Sequence, residues 1–85
     1  MTAIFDTAKS RIIKNANGEE RAMVTFRIAE RTELGTLTVM MPQLVPTGAE
    51  LKAEIVAKIA KIDDAIAKNS ALQTQLIAKN NLSLG

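Results

Sequence analysis

The sequence has no cysteine, no histidine, no tryptophan and no tyrosine, and its aromatic content is Phe5 and Phe26 alone. Without cysteine, no disulfide can staple a small fold. Without cysteine or histidine, a structural zinc site lacks its usual ligands. The nucleophile–imidazole pairs of acyl transfer cannot form either. No apolar run approaches the roughly 18 residues needed to cross a bilayer. The opening residues, MTAIFDTAKS, lack a basic segment followed by an apolar one and do not read as a signal peptide. A cytoplasmic location, or a place inside a particle assembled there, is the expectation. A large excess of charge is also missing. The formal net charge is +2 and is spread evenly along the chain. That implies neither a nucleic-acid nor a membrane partner.

Chemistry-bearing motifs are missing as well. Gly18, Gly35, Gly48 and Gly85 are isolated, so there is no phosphate loop, dinucleotide fingerprint or calcium loop. Ser10, Ser70 and Ser83 lie outside any nucleophile-elbow context. The paired carboxylates are Glu19–Glu20 and Asp63–Asp64. On a helix, Asp63 and Asp64 would point about 100° apart. On a strand, Glu19 and Glu20 would alternate across its faces. Both pairs read as solvated surface. No catalytic, cofactor-binding or metal-binding residue is expected, and no small-molecule substrate. The chain reads as non-enzymatic.

What is present is one long amphipathic stretch, expected as a helix over residues 47–80. With Leu51 taken as zero at roughly 100° per residue, Leu51, Ile55, Ile59, Ile62 and Ile66 fall at about 0°, 40°, 80°, 20° and 60°. Thr47 and Glu50 have the spacing of a capping box, and Pro46 precedes them. Lys79, Asn80 and Asn81 are stop signals, leaving a tail at 81–85. Such a helix would be roughly 45 Å long, more than a small sheet can cover. Past Ile66 the stripe continues through Asn69, Leu72, Gln73, Leu76 and Ile77. These residues are the expected interface with another chain. Asn69 and Gln73 are polar positions of a kind that fix register in an apolar seam. The alternative is a break at 68–70, with the chain folding back on itself.

Residues 9–44 read as a three-stranded antiparallel meander. Asn17–Gly18 is a strong signal for a two-residue hairpin turn. Centred there, it pairs Lys14 with Arg21 and Arg11 with Val24. Val24, Phe26 and Ile28 alternate with polar residues, as do Leu37, Val39 and Met41. A four-residue loop at 31–34 pairs Ile28 with Leu37, Phe26 with Val39 and Val24 with Met41. Pro42 ends the last strand. Residues 1–8 are either a short strand or an N-terminal arm.

The expectation is a single α+β domain: a three-stranded antiparallel β-meander followed by one long C-terminal α-helix. A small domain without disulfides or metal gains stability by oligomerisation. The favoured function is therefore structural or assembly work, as a homo-oligomer or a component of a larger particle such as a bacteriophage virion. The competing class is a small nucleic-acid-binding protein using its basic hairpin, with Lys9, Arg11, Lys14, Arg21 and Arg27 on phosphates. The interspersed glutamates weigh against that class.

Overall fold

The structure, a computed structural model, describes all 85 residues. Its elements are β1 (Ala3–Phe5), β2 (Arg11–Lys14), β3 (Glu20–Ile28), a short 3-10 turn (Thr32–Leu34), β4 (Leu37–Met41) and α1 (Gly48–Ala78). The protein is α+β, an antiparallel sheet followed by one long C-terminal helix. The chain divides into two compact units, Met1–Ile55 and Val56–Gly85.

In the first unit β3 is central. Met23 pairs with both Arg11 of β2 and Met40 of β4, and Phe26 pairs with both Phe5 of β1 and Leu37 of β4. β1 and β2 therefore lie end to end along one edge of β3, with β4 along the other. The expected meander is β2–β3–β4, and residues 1–8 are no free arm, since β1 adds a fourth strand to the sheet. Phe5 sits against Phe26 with ring centroids 6.4 Å apart. The Thr2 carbonyl accepts the Ala29 N–H at 2.9 Å, and the Thr2 N–H donates to the Glu30 carboxylate at 2.7 Å. That carboxylate is held below the usual glutamate range chiefly by the Thr2 N–H.

Both expected registers need correction. In the hairpin, Lys14 pairs with Glu20, Ile13 with Arg21, Ile12 with Ala22 and Arg11 with Met23. This is a slip of one residue from the two-residue turn. The cause is Asn15, whose side-chain oxygen accepts the N–H groups of Asn17 and Glu19, both at 3.0 Å. The loop closes between Asn15 and Glu19, and Gly18 supplies the positive φ, +77°. That matches a three-residue loop with a left-handed glycine.

Between β3 and β4 the slip is two. Phe26 faces Leu37, Val24 faces Val39 and Ala22 faces Met41. A shift of two keeps every side chain on its expected face. The four-residue loop is instead a longer one, through the Thr32–Leu34 turn and Gly35 at φ +64°. Ile28, freed from Leu37, pairs with Ala3.

Alternation then separates the faces. Ala22, Phe26, Ile28, Val39 and Met41 are buried on one face, with Val24 and Leu37 half-buried beside them. Ile55 of α1 is also buried. Leu51, which the same wheel places on the stripe, is half-buried.

The helix begins as its sequence dictates. The Glu50 N–H donates to the Thr47 hydroxyl at 3.2 Å, and the Thr47 N–H donates to the Glu50 carboxylate at 2.9 Å. The two bonds satisfy donors that a helix start otherwise leaves orphaned. The helix is continuous through residues 68–70, which removes the fold-back alternative. It ends at Ala78, two residues short of the expected end, and Asn81 follows in a left-handed conformation at φ 65°. Asparagine is one of the residues that adopts this region readily at helix ends.

Candidate functional site

Two surfaces carry the residues singled out from the sequence. The first belongs to the second unit. Ile59 is buried and Ile62 half-buried, but every residue from Asp63 to Gly85 is exposed. Ile66 is 51% exposed, Leu72 52%, Leu76 56% and Ile77 76%. Because α1 is one unbroken helix, these positions and Asn69 and Gln73 share one face, an arc about 140° wide. The expected interface residues are thus brought together on a single uncovered stripe. Ionic and polar contacts along the helix do not cover it. Lys68 pairs with Asp64 at 2.8 Å, and the Thr74 hydroxyl donates to the Ser70 carbonyl at 3.0 Å. Both lie on the helix itself, one turn apart.

The second surface is the open face of the sheet. The register places Arg21 and Arg27 of β3 on this face together with Arg11 of β2, which lies opposite Met23. Ile4, Ile13, Met23, Thr38 and Met40 fill positions among them, and Thr25, which lies between Arg21 and Arg27, is buried where Lys9 and Ser10 cross it. No acidic residue occupies a strand position on this face, because Glu20 pairs with Lys14 on the other. Arg21 is tied to Glu19 at 2.8 Å. Arg21 and Arg27 stand about 20 Å apart along the strand, at roughly 3.3 Å per residue.

Of the five basic residues named from the sequence, three share the open face. Lys14 is separated from them by the pleat, and Lys9 lies in the turn between β1 and β2. The grouping of Arg11 with Arg21 and Arg27 was hidden by the one-residue slip. The Asn15-x-Asn-Gly-Glu19 pattern, read as a turn with a side-chain acceptor, is the signal that would have revealed it.

A cleft of about 330 Å³ lies beside this face, lined by residues that include Phe5, Asp6, Phe26, Arg27 and Thr36. It offers one carboxylate and one guanidinium but no nucleophile–base pair. No three carboxylates of the chain stand close enough to hold a metal ion. No helix is long and apolar enough to cross a membrane. No known protein family matches the sequence, and no curated protein or solved structure is significantly similar to it.

Proposed function

We propose that the protein is a small, non-enzymatic assembly protein whose helix past Ile66 packs against another protein chain. The observation that carries this reading is the uncovered stripe of Ile66, Leu72, Leu76 and Ile77 on a continuous helix. A chain of this size buries only about 60–65% of its unfolded surface. Association is the remaining route to added stability when disulfides and metal are absent. Within this class we favour a subunit of a larger particle, such as a bacteriophage virion assembled in the cytoplasm. Small size, lack of reactive groups and surplus apolar surface support that choice over a free-standing adaptor. Sedimentation of the full chain beside one ending at Lys68 tests the reading. The full chain should associate, with itself or with added partner subunits, and the shorter chain should not. Equal behaviour of the two would overturn it.

A second reading rests on Arg11, Arg21 and Arg27 sharing one sheet face without strand carboxylates. Such a face suits the phosphate backbone of a nucleic acid. The net charge of +2 and the Glu19 partner of Arg21 weaken the field. We expect no tight binding to DNA at physiological salt. Submicromolar affinity that falls steeply with added salt would promote this reading over the first.

A further inference from the structure

The uncovered helix face has a polar residue, Asn69, at its centre. With Ile62 as the first position of a seven-residue repeat, the inward positions fall at Ile62, Ala65, Asn69, Leu72 and Leu76. All five lie within about 60° of Asn69 on the helix surface. Ile62 is half-buried and the other four are exposed. Ile66 and Gln73 border this seam on one side, and Lys61 and Lys68 on the other.

We propose that this face pairs with the same face of a second copy of the chain, parallel and in register, so that the two Asn69 amides meet. The proposal rests on the assembly reading above and names its partner. An amide placed in an apolar seam must find another hydrogen-bonding group, or it stays unsatisfied. A parallel, unstaggered copy supplies an identical amide at that position. Ile62, Leu72 and Leu76 then each meet themselves. A stagger of one repeat sets Asn69 against Ile62 of one chain or Leu76 of the other. An antiparallel pair sets Asn69 against Leu72 and brings Lys79 over Ile62.

Charge favours the same arrangement. In a parallel pair, the flank holding Lys61 and Lys68 faces the flank holding Ile66 and Gln73, so no like charges oppose. In an antiparallel pair, the lysine flank faces itself. The first positions are Ile62, Asn69 and Leu76 and the fourth positions Ala65 and Leu72, and a single asparagine at a first position fixes register and the number of strands. The paired segment, from Ile62 to Ala78, is about 25 Å long.

The chain has no cysteine, so a Gly85→Cys variant carries a single thiol, at a position with open space around it. Full-length variant is equilibrated in a glutathione redox buffer at high micromolar concentration. Parallel pairing predicts disulfide-linked dimer at least tenfold above the same variant carrying Leu72→Asp and Leu76→Asp. A second variant, Asn69→Ile, should tighten association and admit species larger than a dimer in sedimentation. Association without excess cross-linking would overturn the parallel pair while leaving the assembly reading standing. A full chain that is still monomeric at millimolar concentration would overturn the second copy as partner. The assembly reading would then depend on a different chain and on the Lys68 truncation. An Asn69→Ile variant with unchanged association would remove Asn69 from the seam.

Discussion

The Ser10 hydroxyl stands in for a strand carbonyl on the Thr25 amide, accepting its N–H at 3.0 Å. The need arises from the edge of β3. Phe5 lies opposite Phe26 and Arg11 opposite Met23, so residues 6–10 lie across from Val24 and Thr25 alone. The surplus chain loops out and is closed by its own bonds. The Ser10 N–H and hydroxyl both donate to the Asp6 carbonyl, at 3.1 and 2.8 Å. Thr25 is only 4% exposed, so its N–H has poor access to water. Ser10→Ala should therefore cost about 1–3 kcal/mol, the usual penalty for an unsatisfied buried donor. Urea denaturation should show a lower midpoint with an unchanged slope. An unmoved midpoint would mean that water replaces the hydroxyl.

The cap is the next place where one side chain decides. Thr47→Ala removes the acceptor for the Glu50 N–H and should cost about 1 kcal/mol. Glu50→Gln keeps an oxygen for the Thr47 N–H and should cost less. The ranking of the two midpoints tests the reciprocal bond as well as the cap.

Gly18 is a backbone test. A Cβ there would meet no atom within 4 Å, but φ is +77°. Gly18→Ala should thus lose about 1–2 kcal/mol through conformation alone. Gly18→Asn should lose less, because asparagine tolerates the left-handed region. Equal losses, read from thermal or urea midpoints, would point to a cause other than φ.

These sites also show what a sequence can and cannot reveal here. The cap was legible because Thr47 and Glu50 act on each other across three residues, with no tertiary help. The hairpin was legible as a turn, but its length depended on where the Asn15 side chain bonds. That single bond set moved Arg11 to the open face and Lys14 away from it. The β3–β4 pairing was legible in parity only. Alternation constrains which face a residue occupies, and a two-residue shift leaves that unchanged. β1 was ambiguous because three residues, Ala3–Phe5, carry too little alternation to read. The exposed stripe of α1 was legible because helical period depends on spacing alone.

Glu30 gives a pH dependence. Its carboxylate accepts the Thr2 N–H, which lowers its pKa in the folded state. A depressed acid contributes stability that is fully present above its unfolded pKa. That contribution is lost as pH falls through the lower, folded value. Stability of the native chain should therefore drop more steeply than that of Glu30→Gln in the acid range below the usual glutamate pKa. Parallel acid-unfolding curves for the two proteins would contradict the assignment. The group is on the surface, so the difference should be small and reduced by salt.

The last prediction concerns how stability depends on protein concentration. Anything that binds the folded chain and not the unfolded one raises the apparent stability by mass action. Full burial of a leucine or isoleucine is worth about 1.5–3 kcal/mol. Ile66, Leu72, Leu76 and Ile77 are each about half covered or less by their own helix. Pairing two chains through the seam would then gain on the order of 0.8–1.5 kcal/mol for each of six side chains, those of Ile66, Leu72 and Leu76 in both chains, or roughly 5–9 kcal/mol in total. Association itself costs at least about 4 kcal/mol. The remainder, at most about 5 kcal/mol, corresponds to dissociation constants of a few tenths of a millimolar or weaker. The unfolding midpoint of the full chain should accordingly rise as protein concentration passes from micromolar to millimolar. A chain ending at Lys68 loses only exposed residues, so it should keep the sheet's circular-dichroism signal and unfold at a concentration-independent midpoint. If the full chain also unfolds at one midpoint across that range, α1 is not an interface between copies.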